Sequence, residues 1–141
     1  MEKLIFIGKT NELFVNGYPQ KWENFKYLLI QESSEESVKM LLMKEGEPYK
    51  YHAEGLMSYM VDKNLSDIVV RGGGKIDFQP GGKEIGVLGK SYGFGTPAVH
   101  EIKEFIEQNW PHFTLVSIPA YGEPRIKTYS KAEVKYKADN P

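Results

Sequence analysis

The hydrophobic positions of this chain fall mostly into short runs that have the composition of β-strands. The clearest run, residues 25–30, is rich in aromatic and branched side chains and is closed by the polar residues 31–36. This composition predicts a central strand. Residues 38–43 could form a helix or a strand by pattern alone, and we favour a strand. Further strands are predicted at residues 4–7, 13–15, 68–70, 76–78, 85–88 and 113–118.

Two turn signals lie between these runs. Asn16 and Gly17 form a dipeptide typical of a tight hairpin turn, directly after the strand at residues 13–15. Residues 79–82, Gln-Pro-Gly-Gly, are typical of a second turn. We therefore expect a hairpin between the strands at 76–78 and 85–88.

Two other stretches have helical spacing. The first helix is expected to begin at His52, with an apolar stripe formed by Ala53, Leu56, Met57, Met60 and Val61. The second has Thr96 as a suitable N-cap and Pro97 at its first position, and it should end near Pro111. Its predicted inner face comprises Val99, Ile102, Phe105 and Ile106.

These elements predict one domain over residues 1–141, of α/β (α+β) class. A mixed, roughly six-stranded sheet should be sandwiched between two helices. The basic tail, residues 123–141, is expected to add an edge strand followed by disorder.

Composition narrows the possible functions. The 141 residues are 40% hydrophobic, enough for one packed core. The net charge of -1 argues against binding to nucleic acid or an anionic membrane. No cysteine is present, which excludes thiolate metal sites and cysteine nucleophiles. Apolar runs are too short for a signal peptide or a membrane span, so a cytoplasmic location is expected.

Two glycine-rich segments are candidate anion sites. Gly72–Gly74 and Lys75 could form a loop whose N–H groups and ammonium bind an oxyanion, although a strained turn is the commoner explanation. Ser91, Gly93 and Gly95 are expected in a flexible loop before the second helix, where a helix N-terminus favours an anion. The alternative is a loop followed by a capped helix, which needs no ligand.

The three histidines, His52, His100 and His112, lack the spacing of metal ligands. His52 lies at the junction of an extended segment and the first helix. Its ordinary pKa suits general-base catalysis, although a lone histidine more often has a structural role.

Four ordered motifs resemble those of the Janus/Ocnus family. They are Phe-Lys-Tyr-Leu-Leu-Ile at 25–30, Tyr-His-Ala-Glu at 51–54, Gly-Gly-Gly-Lys-Ile at 72–76 and Gly-Lys-Ser-Tyr-Gly-Phe-Gly at 89–95. The resemblance covers a core of about residues 25–122. It implies a mixed sheet between two helices and protein histidine phosphatase activity, without metal or other cofactor.

The resemblance also implies residue roles. It makes His52 catalytic and assigns phosphate binding to Lys26, Ala53, Lys75, Ser91 and Gly93. Lys75 replaces the family's arginine, which keeps the charge but loses the bidentate fork. Gly93 stands where alanine is usual, and one extra residue occurs near Thr96.

The function expected from this resemblance is hydrolysis of the phosphorus–nitrogen bond of phosphohistidine, with His52 as general base. The partners would be phosphohistidine-containing proteins or peptides, and the protein would act as a monomer. The alternative is a non-catalytic module that binds phosphate or phosphoproteins. A structural or regulatory protein with a vestigial site is a third interpretation.

Overall fold

The computed structural model describes residues 3–44, 50–118 and 124–141, and these form a mixed α+β domain. Nine strands and three α-helices occur in the described residues. The strands are β1 (Leu4–Phe6), β2 (Phe14–Val15), β3 (Tyr18–Pro19), β4 (Glu23–Gln31), β5 (Lys39–Lys44), β6 (Asp67–Gln79), β7 (Glu84–Leu88), β8 (Thr114–Ser117) and β9 (Lys127–Ser130). The helices are α1 (His52–Lys63), α2 (Val99–Asn109) and α3 (Lys131–Asp139), and a 3-10 turn spans Thr10–Leu13. None of these helices is long and apolar enough to span a membrane.

Seven strands form one sheet in the order β1-β5-β4-β6-β7-β8, with β9 paired to β6. The predicted central strand is confirmed, because β4 lies between β5 and β6 and is antiparallel to both. The long strand β6 pairs with β9 through its first residues and with β7 through its last. The run at 38–43 is a strand, as preferred, and β2 and β3 form the predicted hairpin at Asn16 and Gly17.

Alternate side chains of β4 pack into two separate cores, as the period of an extended strand requires. Leu28 and Ile30 face a core shared with α1 and α3. Tyr27 and Leu29 face a second core that α2 covers with Ile102, Phe105 and Ile106. The sheet therefore carries helices on both faces, and the face covered by α1 and α3 is the one that bears the candidate site.

The glycine run belongs to β6, so the segment forms neither the expected loop nor a strained turn. Glycine is required here because neighbouring backbone lies directly against the strand. A Cβ at Gly72 would be 2.4 Å from the nitrogen of Pro97, and one at Gly73 would be 2.4 Å from the carbonyl oxygen of Tyr27. Gly72 also has a φ of +127°, at a shift in the register with β4.

The first helix begins at His52 as predicted, but the second begins later than expected. Its first residue is Val99 and its N-cap is Ala98. Thr96 and Pro97 are buried against β6, and this packing keeps them outside the helix. Val99 is 43% exposed, so it does not belong to the inner face.

The tail is ordered where disorder was expected. β9 supplies the predicted edge strand, and α3 follows it directly. Tyr129 and Val134 are buried in the core beside α1. Ser130 caps α3 by accepting a hydrogen bond from the Glu133 N–H at 3.1 Å. The described residues thus form three α-helices rather than two. The expected boundary at residues 122–123 lies outside the described residues.

Candidate functional site

A cavity of about 530 Å³ opens at the N-terminus of α1. Strands β4 and β6, the turn at residues 90–94 and the end of α3 supply its walls. It is lined by Lys26, Lys50, Tyr51, His52, Ala53, Lys75, Lys90, Ser91, Tyr92, Gly93, Phe94, Lys137, Asn140 and Pro141. All six residues that the sequence singled out are among them, so the fold brings together side chains from four separate segments.

His52 is the first residue of α1 and is partly buried in the cavity wall. Its Nε2 donates a hydrogen bond to the Gly74 carbonyl oxygen at 2.8 Å. Burial lowers the pKa of His52 to about 4, and the nearby Lys26 and Lys75 ammonium groups contribute to the decrease. The imidazole is therefore neutral at pH 7. Since a carbonyl can only accept, the proton is on Nε2 and the lone pair is on Nδ1.

Helix α1 presents its N-terminus to the cavity. The Glu54 carboxylate accepts a hydrogen bond from the Tyr51 N–H at 2.9 Å, which fixes the start of the helix. Ala53 follows His52 in the first turn, where backbone N–H groups lack intrahelical acceptors. The helix dipole and these N–H groups favour an anion in the cavity.

Lys26 and Lys75 form the floor of the cavity beside His52. They lie directly opposite each other on the antiparallel strands β4 and β6, so their side chains leave the same face of the sheet. Both are partly buried. Two ammonium groups at neighbouring positions together favour an anion bound beside both.

The turn that carries Ser91 and Gly93 is closed by hydrogen bonds, contrary to the expected flexible loop. The Ser91 N–H donates to the Gly73 carbonyl oxygen at 3.1 Å. The Gly73 N–H in turn donates to the Gly95 carbonyl oxygen at 2.9 Å. The Gly95 N–H donates back to the Ser91 carbonyl at 2.7 Å. Ser91 Oγ accepts the Phe94 N–H at 3.2 Å, which leaves its hydroxyl proton able to donate to a ligand.

Three lysines of the cavity were missed by the sequence analysis. Lys50 and Lys90 each lie over the ring of a nearby tyrosine, with Nζ 5.6 Å from the ring centroids of Tyr51 and Tyr92. Lys137 comes from α3. Of the described residues that line the cavity, five are lysines and none is aspartate or glutamate. A chain with a net charge of -1 therefore concentrates positive charge at one site.

The other two histidines lie elsewhere. His100 lines a separate cavity of about 320 Å³ beside the Arg71–Glu101 ion pair. His112 follows α2 and lines neither cavity. Within the described ranges, no group of three histidine, cysteine, aspartate or glutamate side chains is arranged to hold a metal ion.

This arrangement suits the binding of an oxyanion. It combines lysine ammonium groups, a serine hydroxyl and a helix N-terminus with a neutral imidazole whose Nδ1 can accept a proton. A phosphoryl group has the charge and the acceptor oxygens that such donors recognise.

Comparison with known proteins identifies the family of this chain. Residues 20–114 match the Janus/Ocnus family (Ocnus), which is more than half of the 141 residues. No curated protein matches the chain. The matched region contains β4, α1, β6 and the turn with Ser91, and it ends before β9 and α3. The chain therefore belongs to the Janus/Ocnus family.

Proposed function

We propose that this protein is a metal-free phosphohistidine phosphatase that acts on phosphohistidine-bearing proteins of the cytoplasm. The observation that carries the proposal is the neutral His52 imidazole in a cavity that contains five lysines. Phosphoryl transfer depends mainly on positioning and on charge stabilisation around three equatorial oxygens. The cavity contains groups suited to both tasks, and His52 is the base among them.

In the proposed reaction, the phosphoryl oxygens lie between Lys26, Lys75 and the Ser91 hydroxyl, with the Ala53 and Gly93 amides close by. Nδ1 of His52 takes a proton from a water molecule as the water oxygen attacks phosphorus. The phosphorus–nitrogen bond breaks, and the leaving imidazole nitrogen takes up a proton from solvent water. Inorganic phosphate and histidine are the products, and His52 then releases its proton.

The hydrogen bond from Nε2 to Gly74 has a defined role in this scheme. It fixes the ring and the tautomer, so that Nδ1 is always the nitrogen with the lone pair. It also stabilises the protonated ring, and this effect raises the pKa of His52 against the larger effect of burial. A bound phosphoryl dianion would raise that pKa further, because it attracts the imidazolium form. The base would thus become stronger when substrate is bound.

The same low pKa supports a second candidate function, a module that binds phosphoproteins without turnover. A general base works best when its pKa lies near the operating pH, and a pKa of about 4 makes the His52 of the empty site a weak base. The lysines would bind phosphate equally well without hydrolysis. The two functions therefore differ in what removal of His52 does.

Release of inorganic phosphate from a chemically phosphorylated histidine peptide, with EDTA present, distinguishes these functions. His52→Ala should lower the rate at least about 100-fold, the contribution expected of a general base, while calorimetry should show that phosphate binding is largely retained. His100→Ala is the matched control and should keep the full rate, because His100 lies outside the cavity. Phosphate binding by the wild type with no turnover would instead support the binding module.

A further inference from the structure

Part of the cavity wall comes from outside the family match. The match ends at residue 114, whereas Lys137 and Asn140 line the cavity from the C-terminal segment. This segment consists of β9 and α3. The C-terminal segment therefore adds groups to the candidate site that the matched family region does not contain.

The position of α3 is fixed by packing. Val134 on α3 is completely buried in the core that α1 shares. Tyr129, just before the helix, meets the ring of Phe94 edge-on, with centroids 5.2 Å apart. Phe94 belongs to the turn that carries Ser91 and Gly93. The C-terminal segment is therefore anchored to this turn through β9, directly before α3.

Lys137 is the residue through which α3 reaches the cavity. Its Nζ lies 5.6 and 5.5 Å from the ring centroids of Phe94 and Tyr129. Its Cδ would be 3.9 Å from a Cβ built on Gly93. Lys137 is partly buried, whereas Lys135 on the same helix is exposed and pairs with Asp139 at 2.7 Å. Aromatic contacts thus hold the Lys137 ammonium beside the turn.

The five lysines divide into a floor and a rim. Lys26 and Lys75 are partly buried next to His52, and Lys50 and Lys90 are exposed. With Lys137, the rim lysines come from three different segments: the residues before α1, the turn and α3. The floor lysines lie beside His52, where the phosphoryl group is proposed to bind, and the rim lysines provide positive charge for other groups of the ligand.

We infer that Lys137 is a specificity-determining residue that, with Lys50 and Lys90, selects phosphopeptides carrying carboxylate side chains beside the phosphorylated residue. This inference rests on the proposed function, in which the ligand is part of a protein. Positive charges on three separate segments suit negative charges spread along a peptide better than a compact polyphosphate. The aromatic contacts reduce the freedom that Lys137 would lose on binding.

The experiment uses two peptides that carry a non-hydrolysable phosphonate analogue of phosphohistidine, flanked by aspartates in one and alanines in the other. Calorimetry measures their affinities and that of inorganic phosphate for the full chain. We expect the wild type to prefer the aspartate peptide. Lys137→Gln should lower that affinity about fivefold, as for a partly exposed charge pair, with little change for the alanine peptide. Lys137→Arg should retain the preference, and Lys135→Gln is the matched control.

Each possible outcome bears on a different claim. Equal wild-type affinity for both peptides would overturn the inference, and so would an aspartate preference that survives in Lys137→Gln or falls equally in Lys135→Gln. Phosphate binding that persists in those cases would leave the proposed function standing. A wild type that binds neither peptide nor phosphate would overturn both proposals. Circular dichroism of each variant tests that α3 has remained folded.

Discussion

The low pKa of His52 predicts a specific dependence of stability on pH. Its ordinary value is 6.5 and burial lowers it to about 4 in the folded protein. Between pH 6.5 and about pH 4, His52 is therefore protonated more readily in the unfolded chain than in the folded protein. The stability that comes with a neutral His52 is complete above pH 6.5 and is lost as the pH falls towards 4.

The size of the effect follows from the two pKa values. At 1.36 kcal/mol for each tenfold change in proton affinity, the interval from 6.5 to about 4 corresponds to about 3 kcal/mol. Solvent reaches the partly buried ring and screens it, which reduces the expected loss to about 2 kcal/mol. This amount is a substantial fraction of the stability of a small domain.

Urea unfolding at pH 7, 6, 5 and 4.5 measures the effect against a variant that cannot titrate at this position. The wild type should lose about 2 kcal/mol more than His52→Gln over this range, because carboxylates that titrate there affect both proteins alike. His100→Gln is the control and should follow the wild type, since it retains His52. Parallel pH profiles of wild type and His52→Gln would refute the buried, neutral imidazole.

Three further predictions concern the fold and the site. Gly72→Ala should destabilise the protein by about 3 kcal/mol in urea unfolding, because its φ is +127° and backbone lies 2.4 Å from the new Cβ; an unchanged midpoint would contradict this packing. The pKa of Glu32 is lowered, first by its hydrogen bond from Lys39. The advantage of the wild type over Glu32→Gln, also measured by urea unfolding, should therefore shrink as the pH falls through the folded pKa, and a constant difference would count against it. Lys75→Gln should raise the pKa of His52 in an NMR titration and weaken phosphate binding about tenfold in calorimetry, whereas unchanged values would show that the lysine acts elsewhere.

Local sequence patterns predicted most of the sheet because its strands are dense in apolar residues. Apart from Lys26, the run at 25–30 places apolar side chains on both faces, as the centre of a sheet covered by helices requires. The glycine run was misinterpreted because nothing local shows that other backbone packs against it. Only the folded chain brings Pro97 within 2.4 Å of the Cβ position of Gly72.

The tail shows a local signal that its composition concealed. Ser130 and Glu133 have the spacing of a capping box, which marks the start of a helix. The charged residues around them suggested disorder, because the tail has few apolar residues to bury. Two of the apolar residues, Tyr129 and Val134, are nevertheless buried in the core, and this tertiary packing orders the segment.

The part of the candidate site to which the four ordered motifs assign a role was predictable from the sequence. His52 and the floor lysines were chosen by resemblance, and the fold gathers them in one cavity. The sequence did not predict the rim lysines Lys50, Lys90 and Lys137, because no spacing connects three lysines that meet only after folding. Their convergence depends on the N-terminus of α1, the Ser91 turn and the packing of α3.

Phosphatase activity is measured most directly at the phosphorus atom itself. A chemically phosphorylated histidine peptide is incubated with the wild-type protein and EDTA, and ³¹P NMR records the phosphoramidate and inorganic phosphate signals over time. If His52 acts as the base, the wild type converts the peptide far faster than protein-free solution does, and His52→Ala approaches the protein-free rate. Conversion by the wild type at the protein-free rate would contradict the proposed function.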